Sequence, residues 1–385
     1  MFAPEFQINL NKFWHDPYPC LEKIQALAPV VFVPQLDAAL ITRRIDVFTQ
    51  EKRIDLLSSR QPLGLMTRLM GENMMRKDGA AHTLERQQIF PSLSPRTVVN
   101  VWQSEFETIT DKIINKLRKY KSFDLVKDFA LPVSGAALSA MTGLRQMAAS
   151  EMDQVSQAMI DGCANYKGDP SVEAACDSAT KVIERHIDLM IPEVKKNPDN
   201  SVLSVLIQAG QPTYNIKANV KLVISGGQNE PRDAIAGTAA ALLMHPLAFS
   251  HILKTKEWNQ AFMEYLRWMS PIGMSPRQMT RDCSILGYNF KKNDRVFLMY
   301  GAANRDSSVF DDPGIYNVHR KTGLAIPFGA GPHFCAGAAA SKALIAGVAL
   351  PKLFTAFPAM KLTVPVEWGG WAFRGPLAVN VMSGL

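Results

Sequence analysis

One cysteine in this chain stands where a thiol could do chemistry rather than pack. Residues 326–341 read IPFGAGPHFCAGAAAS, so Cys335 follows Gly329 and Gly331 and precedes Gly337. A structural cysteine is a small buried hydrophobe and needs no such neighbours. Glycines leave room for a flat ligand against the backbone. The alanine run that follows places the thiol just ahead of a helix, whose first N–H groups favour a thiolate. A thiolate there is either a nucleophile, which needs a nearby base, or an axial metal ligand. His333 lies two residues away, but extended chain does not by itself bring such a neighbour into reach. The other cysteines, Cys20, Cys163, Cys176 and Cys283, are widely spaced. An odd count without a CxxC pair argues against a disulfide framework, a zinc ribbon, a thioredoxin-type site and a c-type haem attachment.

The elements that must hold such a thiol can be read along the chain. Residues 30–42, VVFVPQLDAALIT, are β-branched around a central turn and predict paired strands. From residue 76 the pattern turns helical; in 104–121 Phe106, Ile109, Ile113, Leu117 and Tyr120 recur at helical spacing. Asp169-Pro170 breaks the next helical region, and Ser201 is an N-cap candidate after the loop 195–201. Residues 216–245 predict one long apolar helix with an interruption, ended at His245-Pro246. Another helix spans 257–270, short strands and turns fill 276–300, an alanine-rich helix runs over 337–356, and 361–383 returns to strand. The expectation is a mainly α fold with a minor β portion: one domain over 1–385, its β-rich part near 28–45 and in the C-terminal strands, its helical bulk over 76–356.

Composition narrows the function. The 385 residues are 47% hydrophobic, and 42 basic residues against 35 acidic ones leave +7. That excess is too diffuse for nucleic acid, though it suits an acidic partner at one face. No signal peptide is evident, and no stretch approaches the ~20 apolar residues of a membrane span. A cytoplasmic protein without a membrane anchor is expected.

FGAGPHFCAG, residues 328–337, resembles the haem-binding signature of cytochrome P450 enzymes, F-G-x-G-x-H-x-C-x-G. The resemblance implies the triangular cytochrome P450 fold and haem b, with Cys335 as thiolate ligand to the iron and Phe328, His333 and Gly337 in the cofactor loop; thiolate donation favours O–O cleavage. The family's E-x-x-R is similar to Glu264-Tyr265-Leu266-Arg267, and Arg320 in YNVHR matches the third member of its structural Glu-Arg-Arg cluster. Three segments would serve the haem propionates. DGAAHTLER supplies His82 and Arg86 one helical turn apart, PIGMSPRQMTRD supplies Arg277, and the signature supplies His333. Ile272, Met274, Ser275 and Phe373 are expected beside the substrate, with residues 59–75 as a lid.

The sequence leaves the family pattern in the long helix. Where the family carries a glycine pair and then an acid and an alcohol that relay protons, SGGQNEPRD places Gly226, Gly227, Asn229 and Glu230. Asn229 has no carboxyl proton to give. Glu230 titrates, and Pro231 leaves the Gly227 carbonyl without its helical donor, opening the helix. Three readings stand: Glu230 with water replaces the alcohol in proton delivery, Glu230 acts as acid–base on peroxide, or Glu230 merely pairs with Arg232 or caps backbone. The NEP variant and the tail WGGWAFRGPLAVNV resemble a bacterial subgroup that includes small-aromatic hydroxylases and O-demethylases. The resemblance therefore implies a monooxygenase that hydroxylates or O-dealkylates a small hydrophobic substrate with O2, fed by a separate ferredoxin system or flavoprotein. A peroxygenase is the rival within the fold, and a haem sensor or carrier without turnover the rival outside it.

Overall fold

A computed structural model describes residues 2–384 apart from Leu63, Tyr166 and Lys167. The valine-rich segment forms a hairpin, β1 (Val30–Val33) against β2 (Ala38–Ile41), in register Val30 to Ile41. Pro34–Leu36 make the turn, and Asp37 closes it with a left-handed φ of 47°. Three later strands join: β3 (Leu57–Ser58), β4 (Ser275–Met279) and β5 (Arg295–Leu298), in the order β1-β2-β5-β4-β3. Only β2 and β5 run parallel. The sheet matters because it sets Arg277 opposite Val296 and leaves helix α1 (Arg44–Gln50) between β2 and β3, beside the cysteine loop. A three-stranded sheet joins Ser122–Asp124, Asn380–Met382 and Lys361–Leu362, and two hairpins complete the β portion.

Helices make up the bulk, as the sequence periodicity requires. Those that position the site are α2 (Gly79–Leu93), α3 (Ala149–Cys163), α4 (Thr213–Ser225), α5 (Asn229–Met244), α6 (Trp258–Met269) and α7 (Ala338–Ala356). Trp102, Phe106, Phe129, Phe262, Tyr265 and Phe354 are fully buried among them, each worth about 1.5–3 kcal/mol against exposure. Trp258 stacks on Phe354 with ring centroids 5.7 Å apart.

The interruption expected in the long helix parts it into α4 and α5 at Gly226–Gln228. Two expectations need adjustment. Asp169-Pro170 does not break a helix but starts one, Pro170–Lys196: the Asp169 carboxylate accepts from the Ser171 N–H, and proline suits a first turn whose N–H groups have no helical acceptor. The expectation that no stretch nears membrane-span length also fails. Among the described residues, α7, at 19 residues, is long and apolar enough to cross a bilayer, as is the pair Thr213–Met244 and Pro246–Thr255 taken together across a 112° bend. Half of the α7 stretch is buried inside the fold; alanine and glycine raise its hydropathy without adding bulk.

Candidate haem-thiolate site

The cysteine loop is held at both ends. The Cys335 N–H donates to the Phe328 carbonyl at 2.9 Å, and the Gly337 and Ala338 N–H groups, at the entry to α7, face the sulfur. Burial pushes the thiol pKa up; these N–H groups and the charge of Arg86 pull it back. The glycines ahead of it serve a different end from the one read in the sequence. Gly329 and Gly331 take left-handed φ of 72° and 66°. A Cβ on Gly329 would lie 3.0 Å from the Tyr300 hydroxyl, and one on Gly331 would lie 3.1 Å from Lys52 Cγ. They let the loop pass close over the end of α1. Gly337 meets only the Cys335 sulfur, at 3.9 Å.

α2 carries His82 and Arg86 to the same place. Among the described residues neither has a hydrogen-bond or ion-pair partner. Burial, then the neighbouring His333 and Arg86, bring His82 down to about 4. Its ring lies 4.2 Å from that of His333. His333 itself is engaged: Nε2 is 3.0 Å from Asp78 Oδ1 and 3.1 Å from Ser59 Oγ. Arg277 is engaged too, donating from Nη2 to Glu51 Oε1 at 2.9 Å and from Nη1 to the Ser275 hydroxyl, while its Nε meets no acceptor. A thiol backed by helix N–H groups, with the unpaired guanidinium of Arg86 and the neutral His82 ring as a hydrogen-bond donor nearby, is a donor set that suits an iron porphyrin with two carboxylates. The residues fit that group.

Opposite the thiol, near enough that its charge would raise the thiol pKa, stands Glu230. The break at 226–228 sets it there. A Cβ on Gly227 would fall 2.4 Å from the Val223 carbonyl, so only glycine fits. Neither Glu230 carboxyl oxygen has a hydrogen-bond partner on another residue; desolvation pushes the group up to about 8, against a smaller pull downward from its own backbone N–H. Arg232 does not serve it: its guanidinium bonds Asp153 at 2.9 Å and Asp233 at 2.8 Å. The pairing alternative for Glu230 therefore lacks its partner. The Asn229 amide donates to Gln157 Oε1 on α3 at 2.7 Å, with its own Oδ1 unpartnered.

Behind the loop, Glu264 and Arg267 are paired through two bonds of 2.8 Å and are wholly buried, and Arg320 Nε reaches Glu264 at 3.1 Å. Arg267 also donates to the carbonyls of Asn304, Pro313 and Ile315, fixing the chain that leads into the cysteine loop. Of the residues expected beside the substrate, Ile272 and Phe373 pair as an antiparallel bridge, Met274 is buried in the core, and Ser275 holds Arg277. The expected lid, 59–75, contains Leu63, which lies outside the described residues; much of the rest is the helix Leu65–Met70 and a segment tied to α4, where Asn219 Oδ1 accepts the Met74 N–H at 3.0 Å. Asn219 Nδ2 in turn donates to Glu85 Oε2 at 3.0 Å, and Glu85 also takes Lys77. Glu51, Asp78, Asp153 and Gln157 were not singled out from sequence. DGAAHTLER contains Asp78, but only the fold brings it to His333.

Fold and site together define a haem-thiolate oxygenase. The family model for "Cytochrome P450" matches residues 249–350. The chain is 27% identical to "Putative cytochrome P450 YjiB" of Bacillus subtilis (strain 168), over 92% of this chain and 91% of that one. It is 26% identical to "Epothilone C/D epoxidase" of Sorangium cellulosum, over 99% and 95%. Among solved structures, P450BioI in complex with hexadec-9Z-enoic acid ligated acyl carrier protein superposes with a TM-score of 0.89 at 20% identity, covering 96% of this chain and 99% of that one. These matches support this chain's assignment to the cytochrome P450 family. It is a monooxygenase with haem b as cofactor, and it needs O2, an organic substrate and an electron donor.

Proposed function

We propose that this monooxygenase acts in the cytoplasm on a small hydrophobic substrate, by hydroxylation or by O-dealkylation, with electrons from a separate ferredoxin system or flavoprotein. In this reading Cys335 ligates the iron, His82 and Arg86 take the propionates, and Arg277 and His333 contribute through donors not already committed. Haem so held supplies dioxygen activation. The chain's own part is to deliver protons, exclude water and orient the substrate.

The observation that carries the reading is Glu230: a carboxyl with no partner, near the thiol, kept protonated at neutral pH by burial. Its proton sits at Oε1 or Oε2, in the opened turn where the family places its alcohol. Gln157 and Asn229 form the polar wall between α5 and α3 along which a proton would be replaced. Ile272 and Phe373 supply the apolar contacts that would turn a small substrate and reject a charged one. Hydroxylation next to an ether oxygen collapses to dealkylation, so one site serves both outcomes.

The test has two parts. The reduced, carbon monoxide-bound protein should give a strongly red-shifted Soret band that Cys335→Ala abolishes; a histidine-type band in the parent overturns the assignment of Cys335. Glu230→Gln should then lower product formed per reductant consumed, and unchanged coupling removes Glu230 from proton delivery. Turnover with peroxide alone, faster than with a reconstituted ferredoxin system, would favour the peroxygenase.

A further inference from the structure

Glu51 is a buried charge to which the proposed function gives no role beyond pairing with Arg277. It follows α1 and is 1% exposed. Three donors from three separate elements converge on its carboxylate. Arg277 Nη2, on β4, donates to Oε1 at 2.9 Å. The Tyr300 hydroxyl donates to Oε1 at 2.5 Å. The backbone N–H of Ala330, inside the cysteine loop, donates to Oε2 at 3.1 Å. Burying a carboxylate is costly unless it is paired and hydrogen-bonded, and here it is both.

The loop geometry fits this anchor. Ala330 lies between the two left-handed glycines, Gly329 and Gly331. A Cβ on Gly329 would approach Glu51 Oε2 to 3.4 Å, and one on Gly331 would approach the Glu51 carbonyl to 3.2 Å. The loop is thus pressed onto Glu51 on one side of Cys335, as α7 holds it on the other. The same carboxylate neutralises Arg277, whose Nε alone remains without an acceptor.

We infer that Glu51 is a positioning residue for the thiolate loop and that, through Arg277, it sets how much positive charge the protein presents to the cofactor. The inference rests on Cys335 being the iron ligand. Glu51→Gln keeps an acceptor for the loop but removes the charge, so Arg277 becomes uncompensated in a low-dielectric site. Iron should then be easier to reduce. Glu51→Ala removes the acceptor as well and leaves the Ala330 N–H unsatisfied, so the loop should slacken.

The experiment uses the holoprotein. Spectroelectrochemistry of Glu51→Gln should show the iron(III)/iron(II) equilibrium shifted about tenfold toward iron(II), ~59 mV for one electron, with the red-shifted carbon monoxide band intact. Glu51→Ala should convert to a histidine-type band at least severalfold faster on mild heating. If Glu51→Ala does not yield holoprotein, Tyr300→Phe, which removes one donor to the carboxylate and keeps both charges, should shift the equilibrium by a smaller amount in the opposite direction, toward iron(III). Parent-like potentials and conversion rates in the variants overturn the inference, as does a lowered melting temperature with no change in potential. A parent without the red-shifted band would instead overturn the assignment of Cys335, so the two failures are distinguishable.

Discussion

Glu230→Gln should change how stability depends on pH. In the fold the carboxyl is pushed up to about 8 from an ordinary 4.5, chiefly by desolvation. Each pKa unit corresponds to about 1.4 kcal/mol, so ionising Glu230 in place costs on the order of 5 kcal/mol, and water in the opened turn would offset part of that. The sign follows from proton counting. Between pH 4.5 and about 8 the unfolded chain has lost this proton and the folded chain keeps it, so the unfolded state binds fewer protons and stability falls as pH rises. Below 4.5 both states are protonated and the full contribution is present; above about 8 it is gone. Glutamine does not titrate and is nearly the same shape. Denaturant unfolding of both proteins at pH 5, 6.5 and 9 should therefore give similar midpoints at pH 5 and a growing advantage for the variant toward pH 9. An infrared titration should find a protonated carboxyl in the parent at pH 7 that is absent in the variant. Parallel stability profiles, or no such carboxyl, would refute the argument that this side chain is neutral because it is dry and unpartnered.

Two further outcomes follow from the same geometry. Asp153→Asn removes one of the two carboxylates that neutralise Arg232, so the freed positive charge should lower the Glu230 pKa; the alkaline fall in coupled turnover should move to lower pH, and an unmoved profile counts against Glu230 as its source. Glu264→Gln leaves Arg267 and Arg320 without their shared charge in a wholly buried setting, at a cost of about 3–5 kcal/mol, read as early haem loss on heating against a parent control.

The parts of this site legible in the sequence are local. The cysteine loop, the His82–Arg86 turn and the Glu264–Arg267 turn lie within ten residues each, where spacing fixes which side chains share a face. The hairpin over 30–41 and the helices ending at His245 and Ser270 were legible for the same reason: proline and β-branching act on immediate neighbours. What was not legible is long-range. Ala330 meets Glu51 across 279 residues and His333 meets Asp78 across 255, and no period or spacing encodes such a meeting. Gly329 and Gly331 illustrate the limit. The sequence displays the glycines, but the atoms that demand them belong to Glu51, Lys52 and Tyr300. The break ahead of Glu230 was only half legible, because Pro231 marks a lost bond and the crowding at Gly227 comes from Val223 and Leu138.

The bond from the Met74 N–H to Asn219 has a bearing on timing. Asn219 lies on α4, less than two turns before that helix stops at Ser225, and Glu85 clamps it from α2. The segment around Met74 therefore cannot lift freely: it must surrender a buried amide, or carry α4 and the turn at Gly226 with it. Freeing Met74 would then also loosen the turn ahead of Glu230. Hydrogen exchange at the Met74 amide would then act as a clock for both, keeping pace with the amides at the end of α4 and quickening with them when Asn219→Ala unfastens the pair.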